Sequence, residues 1–184
     1  MPFDLYIFNV LHSIAGLSRV TDWLIVFLAK PLGYLLILGA AILLIRIKDI
    51  REKFNFFSLV ILSAILSRAI ITEVIRFVYD RPRPFALLNF IPLFNHEPGS
   101  AFPSGHAAFY FALAFAILFY FSKEYKFSRK NFGWWYVLAA ALIVLGRVIA
   151  GLHWPTDVLG GAAVALVSVL GVRQLLKPLF RKTA

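Results

Sequence analysis

The chain contains no cysteine among its 184 residues. This absence excludes disulfide bonds and metal sites built from thiolates. Acidic residues are also scarce, with 9 Asp and Glu against 19 Lys and Arg. Soluble domains carry about 25% charged residues, whereas this chain has 15% charged and 61% hydrophobic residues. The composition therefore indicates an integral membrane protein and excludes an ordinary soluble domain.

Five apolar segments are long enough to cross a bilayer, which takes about 20 helical residues. They cover residues 23–45, 54–79, 104–121, 134–151 and 155–176. A shorter segment, residues 3–16, has an apolar face with Asp4 lying elsewhere, which predicts an interfacial helix. The N-terminus lacks a basic region before an apolar core, so we expect no cleavable signal peptide. We predict one all-α membrane domain over residues 1–184, with about five transmembrane helices in one bundle.

The basic residues predict the orientation. The links 46–53 and 122–132 and the tail from residue 177 carry four, four and three of them. Five spans put these stretches on one side, which the positive-inside rule makes cytoplasmic. The connection 79–103 and the turn 151–155 then face outward. This distribution also favours anionic membrane lipids over nucleic acid as the partner of the net charge of +10.

Three polar motifs fall on the predicted outer side. They are Arg76 with Arg83 and Pro84, then Pro103-Ser104-Gly105-His106, then Arg147 with His153 and Asp157. Arginine presents a planar fork of donors that matches phosphate oxygens. Proline and glycine at a helix start allow backbone N–H groups to approach an anion. Together the motifs indicate a site for a phosphate ester or anhydride.

The two histidines suit opposite roles in such a site. His153 lies four residues before Asp157, so the carboxylate can accept from one ring nitrogen and leave the other as a nucleophile. His106 has no carboxylate at helical spacing and can protonate a leaving oxygen. A metal mechanism is disfavoured because the nearby acids are not paired at ligand spacing. We therefore predict no metal and no other cofactor.

These motifs resemble the signature of the type 2 phosphatidic acid phosphatase family, membrane lipid phosphatases that share their core with vanadium-dependent haloperoxidases. The family pattern is K-x6-R-P, P-S-G-H and S-R-x5-H-x3-D. Arg76 stands in place of the lysine, and Gly146 stands in place of the serine, which removes one possible hydroxyl contact to phosphate. Among subfamilies, the chain looks most like bacterial undecaprenyl-diphosphate phosphatases.

The resemblance implies His153 as the nucleophile through a phosphohistidine, Asp157 as its orienting group and His106 as the acid. It implies that the phosphate is held by Arg76, Arg83, Ser104, Gly105 and Arg147.

The reaction favoured by this reading is removal of the terminal phosphate from a lipid diphosphate, such as undecaprenyl diphosphate, at the outer face of a bacterial inner membrane. Phosphatidylglycerol phosphate, phosphatidic acid or a lipid A phosphate are alternative substrates. A protein that binds lipid phosphates without catalysis is a further alternative. The expected partners are membrane lipids and the lipid phosphate substrate.

Other polar residues near the motifs are expected to be structural. Arg68 and Glu73 lie within the second predicted span, where charge is costly, and we expect a network in which Glu73 pairs with Arg76. Asp80 and Arg81 are expected to form a pair at the rim. The connection 85–102 is expected to form a partly buried lid or a lipid-facing wall, with His96 and Glu97 as exposed loop residues.

Overall fold

The computed structural model describes residues 2–96, 99–124 and 130–180, and within these ranges it is helical and has no strands. The predicted loop residue Glu97, part of the basic link 122–132 and the last basic residues of the tail lie outside the described residues. The elements are α1 (Pro2–His12), α2 (Arg19–Ala29), α3 (Pro31–Arg46), α4 (Ile50–Ala64), a π-helix (Ile65–Ile71), α5 (Thr72–Val78), α6 (Pro84–Leu87), α7 (Gly105–Glu124), α8 (Lys130–Ile149) and α9 (Pro155–Phe180).

Five helical stretches are long and apolar enough to cross a membrane, which confirms the predicted all-α membrane fold. Their bounds differ from the predicted ones by no more than about one helical turn. The stretches are Arg19–Arg46, Ile50–Val78, Gly105–Ser122, Phe132–Ile149 and Pro155–Leu179.

The sequence predicts one continuous helix for the first span, but the structure has a break between α2 and α3. Pro31 lacks an N–H group, so it cannot continue the hydrogen-bond ladder of α2 and instead opens α3. The backbone N–H of Lys30 closes α2 on the Val26 carbonyl, and Gly33 bonds back to Lys30. The break places a lysine within the length of a spanning segment.

The second span contains a π-helix between α4 and α5. The π-helix covers Ile65–Ile71 and widens the turn, a feature that is frequent at functional sites. The hydroxyl of Ser67 in this segment donates to the Ala108 carbonyl on α7 at 2.9 Å. This hydrogen bond connects the π-helix to the first turn of α7.

Helix α7 occupies the centre of the bundle and packs against α4, α8 and α9. Two thirds of its spanning window is buried (67%), against 28% for the first, second and fifth spans. Small side chains allow helices to approach closely in a membrane, and five alanines of α7 are fully buried: Ala107, Ala108, Ala112, Ala114 and Ala116. Gly161 of α9 also permits this approach, because a Cβ there would lie 2.5 Å from the Ser104 carbonyl oxygen.

Helix α1 packs against α8 and α9. Phe3 and Tyr6 are largely exposed, whereas Asp4 and Phe8 are buried. The helix ends at His12, before the predicted end at residue 16. Its location at the membrane interface stays a prediction, but its carboxylate is packed inside the protein.

Candidate active site

The structure brings the three polar motifs together. Arg76, from the first motif, donates from Nε and Nη2 to the carbonyl oxygen of Pro103 at 3.3 and 3.1 Å. The backbone N–H of Ser104 donates to the Asp157 carbonyl at 2.9 Å. Arg83, also from the first motif, contacts the third motif, because its Nη1 lies 3.4 Å from Nε2 of His153. Helices α5, α7 and α9 thus present their motif ends to one another.

His153 lies in the short turn between α8 and α9 and is almost completely buried. Its Nδ1 is 3.6 Å from Oδ2 of Asp157, and its Nε2 is 3.4 Å from Nη1 of Arg83. Because a guanidinium can only donate, Nε2 is the ring nitrogen that presents a lone pair. The proton of the neutral ring then sits on Nδ1, on the side of Asp157.

The surroundings of His153 keep its imidazole neutral. Burial lowers the pKa of His153 well below its ordinary value, and the positive charges of Arg83 and Arg147 act in the same direction. A neutral histidine with an available Nε2 lone pair is the form required of a nitrogen nucleophile.

Asp157 is held at the start of α9 by hydrogen bonds to both of its carboxylate oxygens, whereas Nδ1 of His153 forms no hydrogen bond with the described residues. Its Oδ2 accepts from the backbone N–H of Trp154 at 2.7 Å, as a carboxylate near the first turn of a helix commonly does. Its Oδ1 accepts from Nη1 of Arg81 at 2.6 Å. The expected rim pair of Asp80 and Arg81 is therefore wrong, because Arg81 is buried and bonded to Asp157.

Arg81 also joins Asp157 to the N-terminal helix. Its Nη2 donates to Oδ2 of Asp4 at 2.5 Å, and Thr156 donates to Asp4 from its backbone N–H at 3.0 Å and from its hydroxyl at 2.5 Å. Burial raises the pKa of Asp4, but the hydrogen bonds from Thr156 and Arg81 outweigh burial and leave this pKa lowered. Asp4, Arg81 and Asp157 thus form a buried carboxylate–guanidinium–carboxylate chain.

Arg83 is positioned by backbone carbonyls on both sides of the site. It donates from Nε to Gly99 at 3.2 Å and from Nη1 to Leu152 at 3.3 Å. Burial lowers the pKa of Arg83 to about 10, and the charge of Arg76 acts in the same direction. The side chain nevertheless stays charged at neutral pH, next to the lone pair of His153.

Arg147 is a buried cation that forms no ion pair within the part of the chain that the structure describes. Its Nη1 donates to the Ala29 carbonyl at 3.5 Å, but Nε and Nη2 have no hydrogen-bond partner among the described residues. A buried donor without a partner is costly. These two groups are free to donate to a ligand with acceptor oxygens, and the role of Arg147 in holding phosphate stays a prediction.

The Pro103–His106 motif opens α7. Ser104 is fully buried, and its hydroxyl accepts from the backbone N–H of Ala107 at 3.4 Å, so it caps the helix. Gly105 is the first residue of α7, where backbone N–H groups have no partner within the helix. His106 follows on the same turn and is partly exposed. The helix start therefore offers both backbone donors and an imidazole.

The predicted network of Glu73 and Arg76 is confirmed, and it includes Arg68. Nη1 of Arg76 lies 3.4 Å from Oε1 of Glu73, and Nη1 of Arg68 contacts the same oxygen closely.

Gly146 faces helix α2. A Cβ at this position would lie 3.1 Å from the Ala29 nitrogen and from Cβ of Leu28. The serine that the family pattern has here would therefore press on α2. The close packing of α2 on α8 explains the glycine.

The aromatic residues of the connection 85–102 are partly buried, as predicted. Phe90 packs against Phe8 and His12, while Phe85 and Phe94 pack against the buried residues around the end of α8. The backbone N–H of Leu93 also donates to the Ala150 carbonyl at 3.3 Å. The connection thus covers the turn that contains His153.

Comparison with known proteins supports the family resemblance that the motifs indicate. The family model of the PAP2 superfamily matches residues 57–181. The chain is 29% identical to undecaprenyl-diphosphatase BcrC of Bacillus subtilis (strain 168), over 88% of this chain and 78% of that protein. It is 33% identical to phosphatidylglycerophosphatase B of the same organism, over 53% of this chain and 47% of that protein. The crystal structure of Aquifex aeolicus LpxE has the same fold, with a TM-score of 0.72 and 24% identity over 92% of this chain and 94% of that chain.

Proposed function

Because the chain belongs to the PAP2 superfamily and is a membrane lipid phosphatase, we propose that it removes the terminal phosphate of a lipid diphosphate. The best candidate reaction converts undecaprenyl diphosphate to undecaprenyl phosphate. The observation that carries this proposal is the buried site in which Nε2 of His153 faces Arg83 and two donors of Arg147 have no partner among the residues that the structure describes.

In the first chemical step, Nε2 of His153 attacks the terminal phosphorus. The bond from this phosphorus to the bridging oxygen breaks, and the lipid phosphate departs with a proton from His106. The ring of His153 gains positive charge, which the carboxylate of Asp157 stabilises. The donors of Arg76, Arg83 and Arg147, with the backbone N–H groups at the start of α7, bind the equatorial oxygens.

In the second step, water hydrolyses the phosphohistidine. His106, now lacking its proton, takes one from the water as the water oxygen attacks phosphorus. The bond between Nε2 and phosphorus breaks, inorganic phosphate leaves, and His153 returns to the neutral form with its proton on Nδ1. Protons and charges balance over the two steps, so we propose that no metal or other cofactor takes part.

Two observations favour a diphosphate over the alternative substrates. The match to the undecaprenyl-diphosphatase extends along most of the chain, whereas the match to phosphatidylglycerophosphatase B covers about half of it. The site also contains three buried or half-buried arginines besides Arg81, which suits a ligand with many anionic oxygens. Phosphatidylglycerol phosphate, phosphatidic acid and lipid A phosphates are the second candidates.

A panel of lipid phosphates tests this assignment. Purified protein is assayed for phosphate release in EDTA with undecaprenyl diphosphate, phosphatidylglycerol phosphate, phosphatidic acid and lipid A. We expect kcat/KM to be at least about tenfold higher for the diphosphate, because one extra charge-assisted hydrogen bond is worth that much. A preference for the glycerol phosphates would overturn the substrate, and inhibition by EDTA would overturn the metal-free mechanism. Binding of these lipids without phosphate release would indicate the non-catalytic alternative.

The protein is an integral membrane protein, and we propose that its site faces the outside of a bacterial cytoplasmic membrane. The support is the cluster of basic residues at the other end of the bundle. Since the chain has no cysteine, single cysteines report accessibility directly. An impermeant maleimide is expected to label Asn89→Cys in intact cells and Lys48→Cys only after permeabilisation. The opposite pattern would reverse the orientation.

A further inference from the structure

Arg68 is a charged residue within the second span that belongs to none of the three motifs. It lies on the π-helix, ten residues before the end of α5, which corresponds to about 15 Å of helix. Its side chain is 41% exposed. A charged side chain within a membrane-spanning segment costs free energy, and such residues commonly line a substrate path.

Arg68 lies directly beside the start of α7. A Cβ on Gly105 would be 2.7 Å from Nε and 3.1 Å from Cδ of Arg68. The guanidinium therefore occupies the space that any larger residue at position 105 would fill. This contact places a fourth arginine next to the backbone N–H groups that we assign to the terminal phosphate.

Glu73 holds Arg68 in this place and connects it to the phosphate site. The same Oε1 atom accepts from Nη1 of Arg68 and from Nη1 of Arg76. The spacing of five residues between Arg68 and Glu73 fits the wide turn of a π-helix better than that of an α-helix. Within the described residues Glu73 engages only Nη1, so Nε and Nη2 of Arg68 are left to donate.

We propose that Arg68 binds the second phosphate of a lipid diphosphate, the one that stays on the lipid. This inference rests on the proposed function. The terminal phosphate sits among Arg76, Arg83 and Arg147, so the second phosphate lies between this group and the hydrocarbon chain. Arg68 is next to Gly105 and is partly exposed on a membrane-spanning stretch, so a lipid whose chain lies along the helices can present its second phosphate to it.

The same contact assists the reaction. When the bridging bond breaks, the lipid phosphate gains negative charge, and a guanidinium next to its oxygens stabilises that charge. A lipid monophosphate has no group at this position, so Arg68 contributes nothing comparable to its hydrolysis. Arg68 is thus a specificity-determining residue that favours diphosphates over monophosphates.

The test compares two substrates with the same hydrocarbon chain, farnesyl diphosphate and farnesyl monophosphate, on purified full-length protein. For Arg68→Gln we expect kcat/KM to fall about 10- to 100-fold with the diphosphate and less than about threefold with the monophosphate. Arg68→Lys keeps the charge without the fork, so we expect a smaller loss that is again confined to the diphosphate. Inorganic pyrophosphate is expected to inhibit Arg68→Gln more weakly than the wild type, with inhibition by inorganic phosphate unchanged.

Arg173→Gln is the matched control, because Arg173 also lies in a spanning helix but packs on Phe119, away from the motifs. We expect it to leave both activities unchanged. Equal losses with both substrates in Arg68→Gln, or no loss with either, would overturn the subsite. If the wild type hydrolyses only the monophosphate, the proposed function fails instead. If Arg68→Gln does not fold in detergent, Arg68→Lys decides the question, and a loss of equal size on both substrates in that variant overturns the subsite.

Discussion

Replacing His153 with glutamine is expected to lower kcat by on the order of 10⁴-fold or more, as loss of the nucleophile does in enzymes with covalent intermediates. Nε2 of His153 carries the lone pair that attacks phosphorus, and glutamine offers no comparable nucleophile. Lipid diphosphate labelled on its terminal phosphate, quenched in alkali during turnover, is expected to leave label on the wild-type protein and none on His153→Gln.

His12→Gln is the matched control for this variant. His12 is also partly buried, and its Nδ1 donates to the Ile149 carbonyl at 2.7 Å, but it contacts no motif residue. We expect this variant to retain turnover within about tenfold, because it loses one neutral hydrogen bond. Labelled phosphoprotein in His153→Gln, or a turnover equal to that of His12→Gln, would show that another residue attacks the phosphorus.

The motif residues of this site could be predicted because their spacing in sequence determines their spacing in the fold. His153 and Asp157 lie on either side of a helix start, so a separation of four residues brings their side chains within reach. Five spans also put the end of the second span, the start of the third span and the end of the fourth span on one side of the membrane. Neither step requires knowledge of how the helices pack.

The role of Arg81 was missed, although the sequence contains a signal for it. The stretch from Tyr79 to Arg83 is extended, as expected of residues that precede prolines. Successive side chains of an extended chain point in opposite directions. Asp80 and Pro82 are accordingly exposed, whereas Arg81 and Arg83 are both buried. The doubled Arg-Pro sequence therefore predicts two arginines on one face.

No comparable signal exists for the partner of Arg81 on α1. Asp4 is separated from Arg81 by 77 residues and from Thr156 by 152 residues. An acid in an amphipathic helix is usually solvated, and only the docking of α1 against α9 brings it to the site. The π-helix was missed for a similar reason, because it depends on the packing of Ser67 against α7.

Replacing Arg81 with glutamine is expected to lower both stability and catalysis. The variant leaves two buried carboxylates, Asp4 and Asp157, without the cation that bonds to both. Removing one partner of a buried ion pair costs about 3–5 kcal/mol, which thermal unfolding in detergent will measure. We expect kcat to fall about 100-fold with KM changed less than about threefold, because Asp157 loses the contact that fixes its Oδ1.

Two further variants separate a positioning role from a purely structural one. Asp80→Asn changes the exposed neighbour of Arg81, and we expect wild-type stability and kcat. Asp4→Asn keeps the contact of Arg81 with Asp157 while neutralising the other end of the chain, so the double variant with Arg81→Gln should lose less stability than the two single losses together. If Arg81→Gln lowers stability but leaves kcat unchanged, the N-terminal helix does not act on the orientation of Asp157. If kcat falls without a change in KM, Arg81 positions Asp157 for catalysis, because Asp157 contacts His153 and not the lipid.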